Sequence, residues 1–123
     1  MVIYNQMVVE AASNERADHV FHALADATRR DIVCRSLGGQ LSVSALARAY
    51  PMSVAAVQKH VAVLERAGLV TKHRRGREQL VRSNVDTIRT AARLLEEWEA
   101  AWRGRIDRIG EILADDHPGG QDP

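Results

Sequence analysis

The stretch SVAAVQKHVAVLERAGLV, Ser53 to Val70, limits the fold more than any other part of the chain. Val54, Val57, Val61 and Leu64 recur three and four residues apart and so line one side of a helix. The opposite side carries Ala55, Lys59, Ala62 and Arg66, with Gln58 and His60 on the flanks. Ser53 is suited to cap the helix, because its hydroxyl can accept from the first unbonded amides. Gly68 ends the helix, and Leu69 and Val70 start an extended segment. The outward face begins with small residues (Ser53, Ala55, Ala56) and continues with an amide, a cation and an imidazole. Such a face suits the floor of a DNA major groove, with a thin front end, donors for base edges and cations for phosphate. The plainer alternative is a solvated polar face on an ordinary core helix.

The flanking sequence supports the first reading. Asn14 is placed to cap a first helix reaching Ala25, with Ala17, Val20, Phe21 and Leu24 as its apolar stripe. Asp26 caps a second, DATRRDIVCRSL, expected to bury Ile32, Val33 and Leu37 and to stop at Gly38-Gly39. Ser42 caps a short third helix with Leu46 inward, closed by Tyr50-Pro51, and Ser53 opens the fourth. A short helix, a tight turn and a helix with an exposed face make a helix-turn-helix. Beyond Leu69, VTKHRRGREQLVRS predicts two strands joined by Arg74-Arg75-Gly76-Arg77, a basic hairpin whose arginines suit phosphates or a narrow minor groove. A merely solvated hairpin is again the alternative.

Asn84 opens a last helix reaching about Ala114. Ile88, Ala92, Leu95, Trp102, Ile106, Ile109 and Leu113 keep a three-four rhythm along it, widened by Trp98. At 1.5 Å per residue, some 30 residues extend about 45 Å, more than a small domain can cover. Much of that stripe, with help from Phe21, is therefore expected to meet a second copy of the chain. Gly104 and Gly110 would each cost up to about 1 kcal/mol inside a helix and suggest a kink or a close helix approach there. Three segments result: an arm over residues 1–13, a domain over 14–114 and a polar tail over 115–123. The fold class is mainly α, a winged helix-turn-helix in the order α-α-α-α-β-β-α with a long C-terminal dimerisation helix.

Charge is informative only when read locally. The 123 residues sum to +1, yet residues 53–83 alone carry +5 and residues 84–123 carry −4. The positive charge thus sits on and just after the candidate recognition helix, as a DNA-binding surface requires. No apolar run approaches the roughly 18 residues of a membrane span. MVIYNQMVVE lacks the basic start and long apolar core of a signal peptide, so a cytoplasmic location is expected. One cysteine excludes an intrachain disulfide.

On the strength of FHALADATRRDIV, LSVSALA, MSVAAVQKHVAVLERAGLV and the Gly76-Arg77 hairpin, the chain from about Val20 to Leu113 resembles the ArsR/SmtB-type winged helix-turn-helix repressors. Ala27 stands where that family often has proline, and Gln58 where it often has serine. The resemblance implies a homodimeric, usually repressing regulator bound to a palindromic operator in double-stranded DNA. On it, Ser53, Ala55, Ala56, Gln58, Lys59, His60, Arg74, Arg75 and Arg77 would face DNA. Phe21, Leu95, Trp98, Trp102, Ile106, Ile109 and Leu113 would form the dimer interface.

Metal sensing by the familiar sites of that family is not expected. Where the family carries Cys-Val-Cys, this chain has Ser42-Val43-Ser44, and hydroxyls are poor ligands for soft ions. No histidine occurs from Asn84 to Ala114, where a second familiar site would draw its ligands. His19 and His22, beside Asp18, could still join Cys34 or a partner chain's His117 around a metal, although packed or surface histidines are commoner. Cys34 reads as a small core residue rather than a redox thiol. With no phosphate loop, nucleophile elbow or catalytic constellation, the chain is not expected to be an enzyme or to need a cofactor. A metal-responsive repressor with an unfamiliar site, or a winged helix used for protein contact, are the alternatives.

Overall fold

Hydroxyl and carboxylate side chains set where the central helices begin. The computed structural model describes residues 15–115. The arm over residues 1–13, the Asn14 cap, His117 and nearly all of the tail lie outside them. Helix α1 spans residues 15–24. Asp26 then accepts the Arg29 amide at 3.0 Å and opens α2, Ala27–Leu37. Ser42 accepts the Ala45 amide at 3.0 Å and opens α3, Val43–Arg48. Ser53 accepts the Ala56 amide at 3.1 Å and opens α4, Val54–Arg66. Each cap satisfies an amide that the first helical turn leaves unpaired.

At the far end of α4 the chain closes a two-bond stop: Leu69 N–H donates to the Leu64 carbonyl and Gly68 N–H to that of Glu65, both at 3.0 Å. Gly68 has φ 77, a left-handed value that a side chain would disfavour. Strands β2, Val70–Arg75, and β3, Glu78–Ser83, follow as an antiparallel hairpin. Arg74 and Arg75 belong to β2, so Gly76-Arg77 alone reverse the chain, a shorter turn than expected. Gly76, with φ 63 at the first turn position, permits this tight reversal.

A short strand that the periodicity did not signal, β1 (Leu41–Ser42), pairs with β3 and makes the sheet order β1-β3-β2. The Ser83 hydroxyl donates to the Val33 carbonyl at 2.7 Å, tying β3 to α2 within the core. Ala23, Ile32, Leu46, Val57, Val61, Leu64, Leu69 and Val81 are sealed from solvent around these elements. The architecture is therefore a mainly helical winged helix-turn-helix, as expected, with a third strand.

Three burial expectations are corrected. Leu37 is 51% exposed, because it is the last residue of α2 and the core stops one residue earlier, at Ser36. Val54 is 47% exposed. The helical rhythm does place it above Val57, but it is the first residue of α4, and helix side chains lean toward the N-terminus. It therefore projects past the end of the core. Cys34 is exposed rather than packed, since α2 turns Ile32, Val33 and Ser36 inward and leaves position 34 on the other side.

Helix α5, Val85–Asp115, is a single 31-residue element that continues through Gly104 and Gly110. Asn84 caps it through its side chain, which accepts the Asp86 amide at 3.2 Å. The chain divides into two compact units between Arg89 and Thr90, inside α5. The second unit shows no buried residue on its helix, and Leu95, Trp98, Trp102, Ile106, Ile109 and Leu113 are all exposed. Ile112, which the sequence pattern left out, is exposed with them. Among the described residues, no helix is long and apolar enough to cross a membrane.

Candidate nucleic-acid interface

The outward side of α4 is defined by what its inward side must bury. Val57, Val61 and Leu64 are committed to the core, which turns Ala55, Gln58 and Lys59 to solvent. Val54 joins them at the front. Ser53 is exposed beside its own cap, and Ala56 is half-buried. Four neighbouring side chains, Val54, Ala55, Gln58 and Lys59, thus form one open face, since residues three and four apart adjoin on a helix.

His60 sits apart from that face. It is half-buried, and its Nδ1 lies 3.3 Å from Nη1 of Arg29 on α2. The same guanidinium donates through Nε to the Ala23 carbonyl at 2.6 Å and through Nη2 to that of His22 at 3.1 Å. Arg29 therefore fastens the end of α1 to α4, with Nδ1 of His60 as the acceptor when the ring is neutral. The capped Arg29 amide holds the Asp26 carboxyl below its usual range, and His60 and the Arg29 charge act in the same direction. Nothing in the local pattern of the sequence signals this joint, because 31 positions separate its members.

A second cluster steadies the turn between α3 and α4. Asp31 on α2 accepts from the Tyr50 hydroxyl at 2.5 Å and from Nε of Arg35 at 2.6 Å. The Arg35 guanidinium stands 5.7 Å from the centre of the Tyr50 ring. The Tyr50 hydrogen bond, followed by that of Arg35, holds the Asp31 carboxyl below its usual range. Burial, aided by Asp31, pushes the Tyr50 phenol up to about 12. The helix-turn-helix is thus fastened to α2 at its turn by Tyr50 and along α4 by His60.

Arg74, Arg75 and Arg77 are exposed at the tip of the β2–β3 hairpin. Arg75 lies across from Glu78 in register, and Arg74 across from Gln79. Lys72, two pairs further from the tip, is instead engaged by Glu65 of α4 at 3.6 Å. His19 and His22 are exposed on α1. Among the described residues, no three of His, Cys, Asp and Glu converge in a metal-holding group.

Comparisons with known proteins agree on the kind of domain. The helix-turn-helix domain family matches residues 24–73. The HTH-type transcriptional regulator Rv2034 of Mycobacterium tuberculosis is 51% identical over 53 residues, which span 43% of this chain and 50% of that protein. The uncharacterized HTH-type transcriptional regulator YuzN of Bacillus subtilis is 35% identical over 92 residues, covering 69% of this chain and 97% of YuzN. The transcriptional repressor SdpR of Bacillus subtilis is 30% identical over 48% of this chain and 66% of its own length. Among solved structures, an ArsR-like transcriptional regulator from Rhodococcus sp. RHA1 superposes with a TM-score of 0.74 at 34% identity, covering 82% of this chain and 95% of that one. The homodimeric winged helix-turn-helix DNA-binding domain of Mb0332 from Mycobacterium bovis gives a TM-score of 0.61 at 25% identity, covering 89% of this chain and 87% of that one.

Proposed function

The chain belongs to the ArsR family of helix-turn-helix transcriptional regulators, and on that premise we propose that it is a cytoplasmic homodimeric repressor of a palindromic operator. One observation carries the reading. The open face of α4 and the arginine-tipped hairpin both belong to the segment that holds a net charge of +5. Helix α4 enters the major groove, where Gln58 can pair with N6 and N7 of an adenine, and Ala55 and Ala56 leave room for close approach. Ser53 and Lys59 meet phosphate at the groove edge. Arg74, Arg75 and Arg77 hold the backbone beside it, or enter a narrow minor groove. His60 acts from behind, through Arg29, on the angle at which α4 is presented.

Dimerisation is assigned to α5. Trp102, Ile106, Ile109 and Leu113 expose a continuous apolar stripe along α5, with Leu95 and Trp98 at one end. Soluble monomers rarely leave so much contiguous apolar surface in water. A twofold dimer presents two copies of α4 and so favours an inverted-repeat operator. The homodimeric state of Mb0332 and the repressor role of SdpR support both assignments.

Regulation by metal is not part of the proposal, because Ser42 and Ser44 replace thiolate donors and α5 offers no histidine among the described residues. The test is footprinting on the DNA upstream of the chain's own reading frame, with and without zinc, nickel, cadmium, arsenite or chelator. Protection of an inverted repeat, unchanged by metal, supports the proposal. Absence of any sequence-preferred protection refutes operator binding, and a shift in affinity of more than about tenfold on metal addition refutes metal independence.

A further inference from the structure

Three large apolar side chains are exposed in the described part of the first unit: Leu37, Val54 and Val85. Of these, Val54 alone shares a helix with Gln58 and lies one turn before it on the open face. A valine at this exposed position has no folding rationale. A β-branched residue is a poorer helix former than alanine, and in the first turn of α4 it neither caps nor enters the core. The first turn of a recognition helix is, however, the part that meets base edges. The only apolar group a base pair offers on the major-groove floor is the C5-methyl of a pyrimidine.

Resting on the proposed DNA reading, we infer that Val54 is a specificity-determining residue that packs its two methyl groups against a pyrimidine C5-methyl, thymine's in unmodified DNA. Val54 and Gln58 then form a reading pair, the first apolar and the second a donor and acceptor. Ala55, the neighbouring candidate for such a contact, offers a single methyl and less surface.

The experiment uses the full chain and the duplex that it selects from a random library. Each thymine is replaced in turn by uracil, which removes the methyl and leaves the pairing edge intact. Burying one methyl group is worth about fourfold in affinity, so wild type should lose about fourfold at one thymine in each half-site and about 15-fold when both are replaced. In Val54→Ala that thymine should become indifferent to uracil, within about 1.5-fold by the same scale. Gln58→Ala should keep the full uracil response while losing discrimination at an adenine. Replacing each cytosine by 5-methylcytosine separates the two sources of the methyl. A response that depends on Val54 and occurs only in this arm assigns the contact to methylated cytosine.

Equal uracil and 5-methylcytosine responses in wild type and Val54→Ala overturn the inference while leaving operator binding intact. Failure of the library to converge on any sequence overturns operator binding itself. Thermal unfolding of Val54→Ala should match or exceed that of wild type, so a change in DNA preference cannot be ascribed to misfolding.

Discussion

Replacing Arg77 with alanine separates the residues that hold DNA from those that read it. Among the described residues, Lys59, Arg74, Arg75 and Arg77 are exposed cations with no carboxylate within ion-pair distance, whereas Glu65 engages Lys72. Four per protomer give eight phosphate contacts in a dimer on two half-sites. At about 0.9 counterions released per contact, the slope of log affinity against log salt should be near −7. Raising salt from about 50 to 200 mM should then weaken operator binding on the order of 10⁴-fold. Arg77→Ala removes two contacts per dimer, so its slope should flatten by about 1.8, with affinity lost on every sequence alike. Gln58→Ala should leave the slope within error and relax preference at one base per half-site, a discrimination of about 1–3 kcal/mol. The assay is a titration of wild type and both variants against an operator library at three or more salt concentrations. An unchanged slope in Arg77→Ala, or a uniform loss across sequences in Gln58→Ala, would refute the assignment.

The remaining predictions address assembly and stability. Changing Trp102 and Ile106 together to glutamate should give a monomer by sedimentation and weaken operator binding, because the half-sites are no longer linked; a dimeric double variant would remove α5 from the interface. Ser36 is 1% exposed with no partner for its hydroxyl among the described residues, so Ser36→Ala should stabilise the fold by about 1 kcal/mol in urea unfolding. Destabilisation would instead show that the hydroxyl is satisfied. In acid, the lowered carboxyl of Asp31 contributes stability that is complete above its ordinary value of 3.8 and is lost as pH falls through the depressed folded value. In alkali, Tyr50 favours the folded state fully below pH 10 and loses that contribution as pH rises from 10.0 toward about 12. Tyr50→Phe should therefore show a smaller stability loss between those alkaline limits than wild type, and identical curves would rule out the Tyr50–Asp31 bond.

What could be read from the sequence was local. Asp26, Ser42 and Ser53 each act within three residues, and each caps the helix expected of it. Gly68 likewise stops α4 where the pattern ended. Periodicity found the buried Val57, Val61 and Leu64, yet it misplaced Val54 and Leu37, because a repeating pattern does not reveal where the core ends. Strand β1 escaped notice for another reason. Its two residues are too few to alternate, and Ser42 already had a role as a cap. The Arg29–His60 and Asp31–Tyr50 contacts, 31 and 19 positions apart, depend on helix packing and carry no sequence-local signal.

These two long-range contacts bear directly on how α4 could respond to events elsewhere in the chain. Arg29 grips the carbonyls at the end of α1 and the imidazole on α4 with one rigid guanidinium, so the two helices are joined directly rather than through the sheet. Tyr50 holds the turn in front of α4 to α2 through a carboxylate. Fixing a helix at its leading turn and again near its middle leaves little freedom to tilt. In the proposed interface, that restraint lets the Val54 and Gln58 side chains meet base edges at repeatable distances. A long flexible cation does not need it, since it can follow a phosphate through several ångströms. In the proposed interface the division of labour follows from where the fold is fastened: base reading falls to α4, which is tied twice, and backbone holding to the arginines at the tip of a two-residue turn.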